Sequence, residues 1–237
     1  MLMHSVQRVI LITGARKGIG KYLAHYYSDK GHQVIGCSRK SVNVEFDNYQ
    51  HFCLDVCDEK SVLNLFSEIR RKYSHLDILI NNAGIAAMNH ALLTPLSVAQ
   101  KIMDTNVISS FLFCREAAKL MSKNKFGRIV NFTTIAVPLK VEGEAIYASS
   151  KAAIVTMTEI LGKEFAEYGI TVNAIGPTPI ETDLIRAVPQ DKIQQLLNQQ
   201  SIHRLGALQD ISNVIDFYIS SQSDFITGQT IFLGGVS

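Results

Sequence analysis

The chain has 237 residues, 47% of them hydrophobic, which is enough to bury one large α/β core. Lys plus Arg number 23 against 21 Asp plus Glu, and a net charge of +2 gives no reason to expect nucleic acid or an anionic membrane as the main partner. The opening "MLMHSVQRVILIT" lacks a basic region followed by a long apolar stretch and a small-residue cleavage site, and no later segment reaches spanning length without charge; a soluble, cytoplasmic protein is expected.

The first apolar run, "RVILIT" at Arg8 to Thr13, predicts a strand, and "GARKGIGKYLAHYY" follows as a glycine turn feeding an amphipathic helix. Gly14, Gly18 and Gly20 permit tight backbone geometry and close approach, so pyrophosphate oxygens can meet free amides where the helix starts, with Arg16, Lys17 and Ile19 in the same turn. A nucleoside-triphosphate loop fits badly: its first glycine would fall on Ala15 and its hydroxyl on Tyr22. The second strand, "QVIGC" from Gln33, leads into Ser38, Arg39 and Lys40. An acid there would suit an unphosphorylated ribose, whereas Arg39 and Lys40, helped by Lys17, suit a 2′-phosphate and favour NADP(H). The plainer alternative is a solvated pair of loop charges.

A third strand, "HFCLD" from His51, ends beside Asp55 and Val56, and Asp55 has an alternative role in capping a helix that begins near Asp58. The fourth, "DILIN" from Asp77, runs into Asn81, Asn82, Ala83 and Gly84, positions able to line a cofactor cleft; Asn81 has the alternative of tying strand ends together. Strands follow at "RIVNF" from Arg128, "ITVNAI" from Ile170 and "QTIFL" from Gln229. Between strands, "VLNLFSEIRRKY", "AQKIMDTNVISSFLFCREAAKLM" and "AAIVTMTEILGKEFAEY" carry helical spacing. Continuous apolar strands alternating with helices predict a single-domain, Rossmann-type doubly wound α/β fold. It has about seven parallel strands, helices on both faces and a ligand crevice at the carboxyl ends. Residues 178–206, with Pro179, Pro189 and the amphipathic "DKIQQLLNQQ", predict a substrate lid at the mouth of that crevice.

Cys37, Cys53, Cys57 and Cys114 lie in or beside apolar segments without paired spacing and are read as reduced core thiols. The histidines form no ligand-spaced cluster, so no metal is expected. The segment "NFTTIAV" closes the fifth strand on Thr133 and Thr134, and Tyr147 and Lys151 in "YASSK" share one helix face. A nearby ammonium favours phenolate, so a phenol pKa lowered from its usual value near 10 is expected. Tyr26 and Lys30 have the same spacing on the first helix, but they lie away from the strand ends and lack an upstream hydroxyl.

Taken in order, "TGARKGIG", "NNAG", Asn106, "YASSK", "VNAIGPTPIETD" and the late "ITGQTIFLGG" resemble the short-chain dehydrogenase/reductase family across essentially the whole chain. The resemblance implies that Tyr147 is the general acid or base, Lys151 its electrostatic partner and ribose ligand, and Asn106 the anchor of a proton-relay water. The family's serine thirteen residues before the tyrosine is Thr134 here, which keeps the hydroxyl donor and adds a methyl. Asp55 is implied at the adenine, and Ile180 and Thr182 at the nicotinamide carboxamide and phosphates, beside Pro177. Thr178 replaces the glycine usual after that proline, and threonine would be strained if φ were positive. The helices from Leu96 to Lys123 and from Ala145 to Tyr168 are implied to pair between subunits of a dimer or tetramer; extra burial within one sheet is the alternative.

Within the family, "PIETDLI", "RLG" and "DFITGQTI" look most like 3-oxoacyl-acyl-carrier-protein reductases. An NADPH-dependent reduction of a 3-oxoacyl thioester is therefore expected. Arg128 stands where such enzymes present a base to an acyl carrier protein, whereas Tyr168 occupies the place of a second base. The alternatives are a reductase of a free ketone, sugar or steroid, and a non-catalytic dinucleotide-binding protein.

Overall fold

Seven parallel strands form one sheet in the order β3-β2-β1-β4-β5-β6-β7. The computed structural model describes residues 7–42, 47–180 and 190–236. In chain order the principal elements are β1 (Val9–Thr13), α1 (Gly18–Asp29), β2 (Gln33–Ser38), β3 (Tyr49–Cys53), α2 (Glu59–Tyr73) and β4 (Ile78–Asn81). There follow α3 (Leu96–Met103), a π-helical turn (Asp104–Ile108), α4 (Ser109–Met121), β5 (Gly127–Phe132), α5 (Ala136–Leu139), α6 (Ala145–Glu164) and β6 (Ile170–Gly176). The chain closes with α7 (Gln190–Asn198), α8 (Leu208–Ile219) and β7 (Thr230–Phe232). Each strand expected from the apolar runs is present, with ends displaced by one or two residues.

The inner strands β1, β4, β5 and β6 are buried along their whole length because both faces are covered, whereas the edge strands β3 and β7 are only partly buried. In β1, Val9 and Leu11 enter a cluster with Leu65 and Phe66 of α2, Phe113 and Ala117 of α4 and Leu161 of α6. Ile10 and Ile12 enter the opposite cluster with Leu23 and Tyr27 of α1 and Ile211 and Ile215 of α8. Burying each of those two wholly covered isoleucines of α8 contributes roughly 1.5–3 kcal/mol. Within the first layer a polar chain fixes α6 to the sheet: Asn81 donates to Asn131 (2.9 Å), and Asn131 donates to Thr158 (2.9 Å). Asn81 thus has the structural task of joining strand ends.

The strand order turns back between β1 and β4, and this opens a crevice at their carboxyl ends. The long apolar helices do not find their extra burial within the sheet: Ile108 is 57% exposed, Phe111 44% and Ile160 49%. Two of the four cysteines also depart from expectation. Cys37 and Cys114 are buried, but Cys53 lies at the exposed end of the edge strand β3 and Cys57 in the loop beyond it. Among the described residues no helix is long and apolar enough to cross a membrane.

Candidate active site

The glycine turn after β1 is held from two sides. Gly14 and Ala15 donate backbone N–H to the Cys37 carbonyl at 2.9 and 3.2 Å. Asn82 donates to the Thr13 carbonyl at 2.9 Å, and Ala83 N–H donates to Thr13 Oγ1 at 2.9 Å. Gly14 and Gly18 have φ of +70° and +56°, a region that a side chain makes costly. Gly20 is a packing glycine: a Cβ there would meet the Gly14 carbonyl and come within 2.5 Å of Asn82 Nδ2. Lys17 precedes α1 without a side-chain cap bond, which leaves first-turn amides facing the crevice.

That crevice has a volume of about 1130 Å³, and Gly14, Arg16, Lys17, Gly18 and Ile19 line one end. Arg39, Asp55, Val56, Asn82, Ala83, Gly84, Thr134, Tyr147, Lys151, Pro177 and Ile180 line it too. The cradle therefore fits a dinucleotide: paired positive-φ glycines, uncapped helix amides and the basic Arg39 and Lys40 stand along one wall. Asp55 accepts from Cys57 N–H at 3.0 Å, while α2 is capped by Asp58, whose side chain accepts from Lys60 N–H at 3.2 Å. Thr182 lies outside the described residues, as does the middle of the expected lid, 181–189. On the described part of that segment, Ile193 and Leu196 of α7 line the crevice, and Ile180 bridges to Gly206.

The loop carrying Arg39 is shaped by β3, a contribution that apolar patterning gave no means of finding. Ser38 Oγ donates to the Lys40 carbonyl (2.7 Å) and so is left to accept from His51 Nε2 (2.8 Å), while the Tyr49 hydroxyl meets Nδ1 at 2.6 Å. Burial keeps His51 below the usual histidine pKa, in agreement with a neutral ring that donates through Nε2. Cys53 Sγ donates to the Arg39 carbonyl at 3.2 Å.

At the other end, the two threonines divide their work. Thr133 is buried and donates to the Lys151 carbonyl at 2.9 Å, tying β5 to α6. Thr134 Oγ1 accepts from Ala136 N–H at 3.3 Å, and its side chain hydrogen-bonds the Tyr147 hydroxyl. The hydroxyl, rather than the methyl, faces the phenol.

Tyr147 and Lys151 both reach the crevice, but the expected lowering of the phenol pKa is not found. Burial pushes Tyr147 up to about 12; the Glu144 charge adds to the rise and the Thr134 hydrogen bond opposes it. The Lys151 ammonium spends a hydrogen bond on the Phe132 carbonyl at 2.8 Å, and burial brings it down to about 8. A Cβ at Gly84 would come 3.3 Å from Asn106 Oδ1, a tight approach, and would sit in ordinary contact with Lys151 Nζ at 3.4 Å. Burial dominates both groups, and the charge pairing on which the expectation rested contributes to neither.

Asn106 is wholly buried in the π-helical turn, an irregularity often found at functional sites. Its Oδ1 accepts from Ile85 N–H, and its Nδ2 donates to the Ile85 carbonyl and to Ser150 Oγ, all at 2.9 Å. The side chain therefore clamps the loop after β4 against α6.

Three further expectations change. Thr178 is absent from the positive-φ residues; it is buried and its hydroxyl donates to Gln200 Oε1 at 2.7 Å, so no backbone strain arises. Arg128 is only 3% exposed and donates to the Gly127 carbonyl at 2.9 Å, with its guanidinium 4.5 Å from the centre of the Phe126 ring. Its guanidinium is covered rather than displayed on the surface. Glu144, which no motif marked, lines the crevice beside Tyr147. Among the described residues no group of His, Cys, Asp or Glu is arranged to hold a metal.

A family model described as enoyl-(acyl carrier protein) reductase matches residues 14–236. The 3-oxoacyl-[acyl-carrier-protein] reductase FabG of Escherichia coli (strain K12) is 32% identical over 239 residues, covering 98% of each chain. The solved structure of ElxO with NADP bound matches with a TM-score of 0.88 at 28% identity, covering 96% of this chain and 97% of that one. A 4-hydroxyisoleucine dehydrogenase complexed with NADH matches with a TM-score of 0.86 at 30% identity, covering 97% and 98%.

Proposed function

The chain belongs to the short-chain dehydrogenase/reductase family, and from that premise we propose that it is an NADP(H)-dependent reductase of a 3-oxoacyl thioester. The observation that carries the reading is the convergence of Thr134, Tyr147 and Lys151 on the same crevice as the glycine turn. The general activity is that of an oxidoreductase using a nicotinamide dinucleotide. A nicotinamide dinucleotide held by the glycine turn and Arg39 would supply the hydride for reduction and accept it in oxidation.

The residues present divide the remaining work. Thr134 holds the substrate oxygen through its hydroxyl, and Tyr147, protonated at neutral pH because its pKa is raised, gives that oxygen a proton. Lys151, still charged below about pH 8, stabilises the phenolate that results. Asn106 keeps the loop after β4 in register with α6 and so keeps the crevice open at a fixed width, with a relay water as its proposed ligand. Arg39 and Lys40 take the 2′-phosphate, and α7, whose Ile193 and Leu196 line the crevice, covers the substrate.

Relatives with NADP and with NADH both occur, so the choice of cofactor rests on this chain's own basic loop. Arg39→Ala is expected to weaken NADPH binding at least about tenfold more than NADH binding, the scale of losing one charge-assisted phosphate contact. Equal losses would remove the 2′-phosphate from the assignment.

A second reading, reduction of a free ketone, is favoured by the burial of Arg128 and by Tyr168, which together leave the expected carrier-docking positions without an exposed base. Turnover of NADPH with a short 3-oxoacyl thioester, free and carrier-linked, beside simple ketones separates the two. Preference for the carrier-linked form supports the first, with docking through residues other than Arg128. Preference for free ketones supports the second, and cofactor binding without turnover supports a non-catalytic role. The exposed Ile108, Phe111 and Ile160 are proposed to pair α4 and α6 with a second copy, giving a dimer or tetramer measurable by light scattering.

A further inference from the structure

Glu144 directly precedes α6, in a position where a carboxylate ordinarily accepts from the free amides of the first turn. It makes no such bond here; only its backbone carbonyl serves the helix, accepting from Ala148 N–H at 2.7 Å. Three residues before Tyr147, the side chain lines the crevice with Met88, Thr134 and Tyr147. It is partly buried, and among the described residues its carboxylate has no hydrogen bond or ion pair. Burial holds its pKa above the usual carboxylate value, and its charge in turn raises that of Tyr147. Of the cations lining the crevice, Lys151 is committed to the Phe132 carbonyl, and neither it nor Lys101 of α3 forms an ion pair with Glu144. A carboxylate kept from water and left without a donor is costly unless a ligand supplies one.

We propose that Glu144 is a specificity-determining residue, whose carboxylate accepts a hydrogen bond from an O–H or N–H that the substrate carries beside its reacting carbonyl or on the arm that extends from it. The inference rests on the reductase reading and narrows its substrate. The donor has two chemical sources: a hydroxyl on a free ketone, or the amide of the arm that bears a thioester. A carboxylate or phosphate at the same place on the substrate is rejected by like charge.

The test uses the full-length protein with NADPH and two matched pairs of substrates. Hydroxyacetone and butanone differ in a hydroxyl against a methyl. The N-acetylcysteamine thioester of 3-oxobutanoate and an S-alkyl thioester of equal length differ in the amide. In at least one pair, kcat/KM is expected to favour the donor-bearing member by about tenfold or more, the scale of a hydrogen bond to a charged group. Glu144→Ala should bring that ratio close to one, and Glu144→Gln, which keeps an acceptor oxygen, should restore part of it. The pair that shows the preference identifies the source of the donor. A wild-type ratio near one in both pairs overturns the proposal without any variant, and so does a ratio that survives Glu144→Ala. Turnover in those cases leaves the reductase reading standing, whereas a wild type inactive on all four substrates overturns both.

Discussion

Tyr26 and Lys30 on α1 have the same i,i+4 spacing as Tyr147 and Lys151 on α6, yet the two pairs meet opposite surroundings. On α1, Asp216 of α8 accepts from Tyr26 at 2.7 Å and from Lys30 at 2.6 Å, and the Lys30 ammonium lies 4.2 Å from the centre of the Tyr26 ring. Burial pulls Lys30 down, but the hydrogen bonds to Asp216 and Tyr26 outweigh it and hold its pKa above the usual value. On α6 no carboxylate among the described residues neutralises Lys151, and burial alone sets its direction. Spacing brings a phenol and an amine to one helix face; the third partner decides what they become. With a counter-ion the pair fastens two helices, and without one it is left with unmet interactions that a ligand can supply.

The largest way to break this comparison is to remove each phenol in turn. Tyr147→Phe is expected to reduce NADPH-dependent turnover by about 10²–10⁴-fold, the usual contribution of a positioned acid, while leaving cofactor affinity in place. Tyr26→Phe, far from the crevice, should leave turnover intact and lower stability slightly. Retained activity in Tyr147→Phe would take that residue out of the mechanism. Next in size is the hydroxyl beside it. Thr134→Ala should cost about 10²–10³-fold in kcat, the scale of one lost oxyanion donor, and Thr134→Ser should keep most of the rate. An unchanged rate in Thr134→Ala would make that threonine a strand end only. The titrations sharpen the contrast further: kcat/KM for reduction should fall as pH rises through about 8, where Lys151 loses its charge, well before Tyr147 at about 12.

The parts legible in the sequence are those set by local pattern. Runs such as "RVILIT" announced strands covered on both faces, and the spacing of Gly14, Gly18 and Gly20 announced a turn that the backbone then adopts. Local pattern says nothing of what lies across a strand or helix, and the errors fall there. Arg128 looked available because it stands where the resembling reductases present a base, but its neighbours in space cover it, with the Phe126 ring and the Gly127 and Ser220 carbonyls occupying the guanidinium. Thr178 looked strained by comparison with a glycine, but residue 178 has no positive φ and its hydroxyl finds Gln200 twenty-two positions later. Lys151 looked like a partner that lowers the Tyr147 pKa, but its ammonium donates its hydrogen bond to a strand-end carbonyl on β5 instead. Glu144 carried no pattern; its meaning arises only from the crevice wall on which α6 places it.

The smallest expected effect gives the comparison its sign. Lys151 has a folded-state pKa of about 8 against an ordinary 10.5, so between those values the unfolded chain holds a proton that the folded protein has released. Stability from this group therefore rises with pH across that window, and below about pH 8 the full penalty of burying the ammonium applies. Lys151→Met removes the penalty but leaves the Phe132 carbonyl without its donor, and the net gain at pH 7 is expected to be roughly 1–2 kcal/mol in the ligand-free protein. Lys30→Met should change stability in the other direction by less than about 1 kcal/mol, because the pair with Asp216 is partly exposed and screened. Denaturant unfolding at pH 7 and pH 10 tests both signs. At pH 10 the gain from Lys151→Met should shrink, since wild-type Lys151 is then neutral when folded. The loss from Lys30→Met should persist, because a raised pKa keeps its charge to higher pH. If both variants moved stability in the same direction at pH 7, the two pairs would differ in location only, and the lack of a counter-ion would cease to mark Lys151 as a residue held ready for a ligand.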